Sequence, residues 1–249
     1  MTSPTYVPLD STQHKHYSIV QDNSYSHAKD FNLVNVGFNE IASLSGCMPL
    51  AVAVDDTEHP HALVAVVGWP QFGNVFCGQQ EWLGHALPLS IQSYPFNYAL
   101  GEQKFTVLLD ESAPCVSPDT SVGVALFSTD GQPSSLLKAQ QSALSSLVAG
   151  QQQAQAFLKV LRELGLLTRL SVSITRQDGE VHEAANLLSI NEEKLAELNA
   201  DTLLQLHQQG ILMAINAMML SLRQYNRLVQ LTRTNENPIE KVGLKLISE

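Results

Sequence analysis

The sequence has few charged residues, few aromatic residues and no run of basic side chains. Of its 249 residues, 15% are charged and 6% are aromatic, and the formal net charge is -10. Proteins that bind nucleic acid or anionic membrane surfaces usually present clustered Lys and Arg to the phosphates. The sequence therefore argues against both classes, and its acidity would repel acidic partners. Its 44% hydrophobic content also predicts a folded chain rather than a disordered one.

Cysteine is equally sparse, and Cys47, Cys77 and Cys115 are widely separated. No Cys-x-x-Cys pair is present, so the sequence indicates neither a zinc knuckle nor a disulfide framework. The first ten residues lack the basic start and apolar stretch of a secretory signal. The longest apolar run, 211–222, is too short to cross a bilayer. We therefore expect a cytoplasmic protein with no membrane insertion.

Recognisable catalytic motifs are missing as well. The sequence contains no G-x-S-x-G elbow, no phosphate loop and no dinucleotide fingerprint. Asp55 with Asp56, and Asp110 with Glu111, are typical of loop and strand-end charges rather than paired catalytic acids. We expect no cofactor, and the sequence favours a non-enzymatic protein without deciding the question.

Two histidine pairs are the candidates for metal binding, namely His14 with His16 and His59 with His61. On a strand, residues i and i+2 face the same way, so both imidazoles of a pair could reach one ion. No carboxylate follows at the spacing of a facial triad, and the second pair is typical of an exposed turn. We expect no metal site, while a metal-dependent oxygenase remains an alternative.

Short Val-rich runs bounded by Asp, Pro or Gly predict an antiparallel sheet in the N-terminal half. The first three such runs predict a meander of neighbouring strands. A helix is expected in this half too, ending near Gly46. The expected strands are 16–21, 50–54, 62–69, 74–77, 105–109 and 122–127, and the expected helix is 35–44.

Helical periodicity dominates after Ser134. Gly150 predicts a break between two helices, 134–149 and 151–164. Alternating apolar residues then predict a β-hairpin, with Asp178 and Gly179 as its two-residue turn.

The remaining chain predicts further helices and a loose end. A capping box beginning at Ser189 predicts a short helix, and Asp201 is the expected cap of one long helix, 202–231. The polar residues 232–249 predict a loosely held tail. Together these patterns predict a single α+β domain over residues 1–231, in which a meander and a later hairpin pack with C-terminal helices.

Residues 74–96 carry the most concentrated pattern, reading NVFCGQQEWLGHALPLSIQSYPF. This segment resembles the SapC-like family of bacterial proteins, which is named for an association with S-layers, and the resemblance extends over about 6–231. Gln92 and Ser93 occupy positions at which family members often have Arg. If those arginines bind an anionic group in relatives, that interaction would be absent here. The matching positions in the segment are Asn74, Phe76, Trp82, Pro88, Ile91, Tyr94, Pro95 and Phe96.

The resemblance implies an accessory or binding role. Family members often occur in gene neighbourhoods with TonB-dependent receptors, flavin-dependent tryptophan halogenases and cupin-like oxygenases. This implies a protein or peptide partner, with a flavin-dependent halogenase or its substrate as the candidate. Two alternatives stay open, namely an unrecognised peptide-modifying enzyme and a structural subunit that assembles through the helix around Met213–Leu222.

The aromatic side chains of this segment are the candidate binding site, because aromatic residues give large contact areas. The same side chains could instead belong to the core, and both interpretations are kept. Tyr94 before Pro95 also raises the possibility of a cis peptide bond. The candidate ligand- or partner-binding residues are Asn74, Phe76, Trp82, Pro88, Tyr94, Pro95 and Phe96.

Overall fold

The computed structural model describes residues 5–55, 59–70, 72–101 and 105–247, without the side chains of 184–186. Its strands are β1 Tyr6–Pro8, β2 Ser18–Ile19, β3 Leu33–Asn35, β4 Leu50–Val54, β5 Pro60–Val66, β6 Gly68–Trp69, β7 Gly73–Asn74, β8 Phe96–Leu100, β9 Phe105–Asp110, β10 Val116–Ser117, β11 Val124–Ala125, β12 Leu167–Arg176, β13 Val181–Ile190 and β14 Ile239–Ile247. Its α-helices are α1 Ile41–Leu44, α2 Leu89–Gln92, α3 Ser135–Glu163, α4 Glu192–Ala196, α5 Ala200–Gln208, α6 Ile211–Ser221 and α7 Tyr225–Leu231. Short 3-10 turns lie at Ser26–Ala28, Phe38–Glu40 and Leu222–Gln224.

A six-stranded antiparallel sheet in the order β14-β12-β13-β4-β5-β3 forms the centre of the fold. Two three-stranded sheets, β1-β9-β8 and β10-β2-β11, and the small β6-β7 pair lie beside it. Helices α5, α6 and α7 follow the last hairpin in sequence, and α6 packs on β4 and β13. These antiparallel sheets and C-terminal helices confirm the α+β prediction.

Helix α3 connects two hydrophobic cores. Its first half places Leu137, Leu144 and Leu147 in a smaller core with Phe96 and Leu109. Its second half places larger apolar side chains, together with Ala154, in the main core against the large sheet. The larger side chains are Phe157, Leu158 and Leu161. One long helix therefore ties the smaller sheets to the large one.

The predicted break at Gly150 is wrong, because α3 continues through it as one 29-residue helix. A Cβ atom on Gly150 would lie only 2.0 Å from Oδ1 of Asn39 and 3.0 Å from Cα of Gly37. This glycine is therefore required by the close approach of another segment, not by a helix end.

The predicted single helix over 202–231 is also wrong. Gly210 has φ 72°, a left-handed conformation that ends α5 before α6 begins. The caps differ as well: Oδ1 of Asn199 caps α5 in place of Asp201, and Oδ1 of Asn191 caps α4 in place of Ser189. Asparagine at the N-cap accepts a backbone N–H that the helix leaves unpaired.

The sheet differs from the predicted meander at its third run. β4 and β5 pair as expected, but the third run contributes to β7, which pairs with β6, while β5 has β3 as its other neighbour. The helix expected over 35–44 is reduced to a 3-10 turn and α1. β3, rather than the third run, therefore lies at this margin of the large sheet.

The predicted hairpin of β12 and β13 is confirmed, with a different turn. Backbone N of Arg176 donates to O of Glu180 (2.9 Å), so three residues rather than two lie between them. Gly179 takes φ 88°, as the left-handed position of a three-residue hairpin loop requires.

The chain after Thr232 is not a loose end over the described residues. Ile239–Ile247 forms β14, which pairs antiparallel with β12 along its whole length. Its polar pattern is typical of an edge strand, since β14 lies at one margin of the large sheet and one of its sides faces solvent.

Candidate functional site

Five side-chain rings form a continuous series from the main core to the protein surface. Phe76 is fully buried, and its ring stacks on Trp82 with 5.2 Å between centroids. Trp82 meets Tyr25 edge-on at 6.1 Å, and Tyr25 meets His27 at 6.2 Å. His27 then stacks on Tyr94 at 4.0 Å, with only 13° between the ring planes. The half-buried rings of Tyr25, His27, Trp82 and Tyr94 are called the ring surface below.

Backbone and side-chain hydrogen bonds fix the indole of Trp82. Its Nε1 donates to O of Ala86 (2.8 Å), and its backbone N donates to O of Asn23 (2.8 Å). An isolated antiparallel bridge also joins it to Cys77. These contacts hold the ring in one orientation.

Asp22 organises the loop that carries Tyr25. Its carboxylate accepts four hydrogen bonds, two from backbone N–H groups and two from hydroxyls of Ser24 and Ser26, at 2.5–2.9 Å. Partial burial raises the pKa of Asp22, but these hydrogen bonds outweigh burial and hold the pKa well below its usual range. Asp22 is therefore a fixed negative charge next to the ring surface.

Tyr25 occupies the left-handed backbone region, with φ 54° and ψ 43°. It is the non-glycine residue with positive φ in the described part of the chain. Such residues cost free energy and are found preferentially at functional sites. The Tyr25 ring contacts both Trp82 and His27.

The His27–Tyr94 stack is held in its neutral form. Burial lowers the pKa of His27, against a smaller opposing effect of a backbone hydrogen bond at Ile91 and the charge of Asp22. Burial, followed by the proximity of Cys115, raises the pKa of Tyr94 to about 12. Nε2 of His27 is buried and has no hydrogen-bond partner among the described residues.

The structure divides the candidate site residues by accessibility. Trp82 and Tyr94 keep accessible surface, while Phe96 lies in the smaller core, away from the ring series. Ser93 is buried and Gln92 is exposed. The peptide bond between Tyr94 and Pro95 is cis. The buried candidates are Asn74, Phe76, Pro88, Pro95 and Phe96.

Sequence patterns did not single out Tyr25 and His27. The nearest signal is Asp22 followed by Ser24 and Ser26, a spacing typical of an Asx turn. That pattern predicts a local loop, but it contains no information that the loop meets Trp82 and Tyr94, which lie more than fifty residues later.

The first histidine pair does not have the geometry that a shared metal ion requires. His14 lies in a turn rather than a strand and is fully buried, whereas His16 is exposed. Nδ1 of His14 accepts from backbone N of Asp10 (3.0 Å), and Nε2 faces Oε1 of Glu111 (3.1 Å). His14 thus joins the N-terminal turn to the end of β9.

The described residues of the second histidine pair and of the acidic pairs lie in strands or make local contacts. His61 lies on β5, and His59 is 4.0 Å from the carboxylate of Asp55. Asp110 accepts from backbone N of Thr5 (2.9 Å), and Asp56 lies outside the described residues. Over the ranges that the structure describes, no group of three or more His, Cys, Asp or Glu side chains could hold a metal ion.

The family of the chain follows from comparison with family models. The fold is α+β, and the ring surface joins the 22–27 loop to the 74–96 segment. The family model described as SapC matches residues 9–228, and the chain belongs to the SapC family. Comparison of the chain with curated proteins and with solved structures found no match. None of the helices in the described ranges is long and apolar enough to cross a membrane.

Proposed function

We propose that this SapC-family protein is a non-enzymatic accessory protein that binds a segment of a protein or peptide partner at the ring surface. The continuous series of rings from Phe76 to Tyr94 supports this function. Aromatic side chains dominate the binding energy of many interfaces when they are rigid and packed on a buried support. Phe76 and the hydrogen bond from Trp82 to Ala86 provide that support here.

The charges around the ring surface favour an uncharged or basic segment. Asp22 is ionised beside the rings, and the whole chain has a formal net charge of -10. Gln92 and Ser93 precede Tyr94, so no arginine stands at these two positions to pair with an anion. Attraction between unlike charges speeds association and selects partners, and repulsion between like charges disfavours association. An acidic segment would therefore bind poorly.

The partner we propose is a flavin-dependent halogenase or the peptide on which it acts, in the cytoplasm. Cys47, Cys77 and Cys115 are free thiols, as in proteins of a reducing compartment. In this setting the protein would hold a partner segment rather than transform it.

The test is capture of partners from a lysate of the source cells by the tagged protein, followed by mass spectrometry. Trp82→Ala and Tyr94→Ala remove half-buried rings of this surface and should each reduce recovery of a specific partner by at least about tenfold, the loss typical of a hot-spot residue. Phe72→Ala is the matched control, because Phe72 is also half-buried but contacts Trp69 and Arg176 instead. Binding of the identified partner is then measured with purified proteins.

Thermal unfolding of each variant shows whether it folds. Equal recovery of every partner by the wild type and by folded Trp82→Ala and Tyr94→Ala would exclude the ring surface as the binding site. Tyr94→Phe keeps the ring stacked on His27 and should bind like the wild type, which separates ring contact from the hydroxyl.

Helix α6 favours one second candidate, self-assembly into a structural subunit. Its outer face exposes Met213 (66%) and Leu220 (62%), and Leu204 of α5 is 54% exposed. Burial of such side chains between copies would stabilise an oligomer. Sedimentation of the wild type beside Met213→Lys and Leu220→Lys tests this, and a wild type that is monomeric at all concentrations would exclude it.

A further inference from the structure

A concave surface lies apart from the ring surface, between α3, β3, β5 and β8. It is an open cleft of about 380 Å³. Among the described residues, its lining contains apolar and uncharged polar side chains together with one histidine, and it contains no Lys, Arg, Asp or Glu. Its polar lining consists of Asn35, His61, Tyr98, Gln151, Gln152 and Gln155.

The carboxamides of this cleft are held in place by hydrogen bonds. The hydroxyl of Tyr98 donates to Oε1 of Gln151 (2.5 Å), and Nε2 of Gln155 donates to backbone O of His61 (2.8 Å). Each of these two carboxamides uses one of its two polar atoms in this way and keeps the other for a ligand. A carboxamide offers the same donor and acceptor groups as a peptide bond, so it can pair with a peptide backbone.

Strand β8 contributes Tyr98 and Leu100 to the lining of the cleft and is the outermost strand of its sheet. The sheet order β1-β9-β8 places β8 at the margin, where no described strand pairs with its outer side. Tyr98 is opposite Val107, whose carbonyl accepts from Leu9 of the β1 side (2.9 Å). In an antiparallel ladder such a pair does not exchange hydrogen bonds, so the N–H and C=O of Tyr98 point away from β9.

A side chain occupies the position that a neighbouring strand would take. Backbone N of Tyr98 donates to Oδ1 of Asn97 (2.8 Å), so this carboxamide oxygen stands in for a peptide carbonyl. Leu100, two residues further along the same edge, is 59% exposed and lines the cleft. An added strand would replace the Asn97 contact by a backbone hydrogen bond and cover Leu100.

From these contacts we infer that the cleft binds an extended, uncharged peptide segment, which adds as a strand to the outer edge of β8 while the carboxamides of α3 contact its backbone. A charged side chain entering the cleft would lose water without meeting an opposite charge, which disfavours acidic and basic segments alike. The cleft shares no residue with the ring surface, so it is a separate site for peptide.

The experiment uses an array of uncharged ten-residue peptides of varied sequence as the probe. Each peptide is printed beside versions with N-methyl groups on alternate backbone nitrogens and versions with a central Asp or Lys. The full-length wild-type protein should bind a subset of uncharged peptides. N-methylation and either charge should weaken that binding at least about tenfold, because strand addition depends on backbone N–H groups.

Two charge variants of α3 locate the site. Gln151→Glu places a carboxylate in the cleft and should weaken the uncharged peptides about tenfold while improving those with Lys. Gln153→Glu makes the same charge change at an exposed position outside the lining and should bind like the wild type. Asn97→Ala frees the N–H of Tyr98 and should retain or tighten binding.

Three outcomes would overturn the inference: no uncharged peptide binds the wild type, N-methylated peptides bind equally well, or Gln151→Glu and Gln153→Glu behave alike in folded proteins. Trp82→Ala should leave this binding unchanged. If Trp82→Ala abolishes it, the cleft is not a separate site. Failure at the ring surface and failure at the cleft are therefore distinguishable.

Discussion

Gly37 and Gly150 meet backbone against backbone. A Cβ atom on Gly37 would lie 2.8 Å from Cα of Gly150, closer than carbon atoms in proteins approach. Gly37 has φ -84°, which any residue can adopt, so close approach rather than backbone conformation requires glycine there. The contact brings the segment before α1 against the middle of α3.

Gly150→Ala should destabilise the protein, although the same change at a free helix position usually stabilises. The new methyl would overlap Asn39 and press on Gly37, and overpacking of this kind costs about 1–3 kcal/mol. Urea unfolding measures the change in the free energy of unfolding. Gln153→Ala, at an exposed position of the same helix, should have little effect. A more stable Gly150→Ala protein would contradict the close approach.

Glu40→Gln should destabilise the protein most at low pH. The buried carboxylate accepts from backbone N of Gly37 (2.7 Å) and of Leu89 (2.8 Å), and glutamine offers one oxygen for these two donors. Leaving one buried N–H unpaired costs about 1–3 kcal/mol.

Burial raises the pKa of Glu40 above its ordinary value of 4.5, despite those hydrogen bonds. The folded state therefore favours the protonated acid, and this contribution to stability is lost as pH rises from 4.5 through the raised pKa. The stability difference between wild type and Glu40→Gln should shrink over that range. Urea unfolding of both proteins at several pH values checks this, and a constant difference would refute it.

Asp22→Ala should loosen the loop that carries Tyr25. The change removes the acceptor of four hydrogen bonds from Ser24 and Ser26, and loss of a net intramolecular hydrogen bond costs about 1 kcal/mol. Since the pKa of Asp22 lies below its ordinary value of 3.8, its contribution is present above pH 3.8 and is lost as pH falls further. Hydrogen exchange at Tyr25 should increase. Asp119→Ala, which removes a similar turn at Ser121, is the matched control.

Gly210→Ala should destabilise the boundary between α5 and α6. No atom lies within 4 Å of the added methyl, so the effect comes from the φ of 72° alone. The left-handed conformation costs a non-glycine residue about 1–2 kcal/mol. Gly210→Asn should cost less, because Asn tolerates this region better. Thermal unfolding ranks the three proteins, and equal loss for Ala and Asn would point to another cause.

Local patterns predicted much of the fold. Val-rich runs located β4, and alternation located the hairpin of β12 and β13, because both signals depend on neighbouring residues. Gly150 was misread as a helix end, since its partner Gly37 is more than a hundred residues away in sequence. Of the four residues of the ring surface, the sequence singled out Trp82 and Tyr94, because they belong to one segment. Tyr25 and His27 reach them only through the tertiary fold, which local patterns do not show.

The position of β14 has a consequence for how the chain folds during synthesis. β12 and β13 leave the ribosome well before Ile239–Ile247, and the helices α5 to α7 come between them. Until β14 arrives, β12 is an uncovered strand edge that could pair with another nascent chain. A chaperone that acts on this protein would therefore be needed most in the interval between translation of the hairpin and translation of β14.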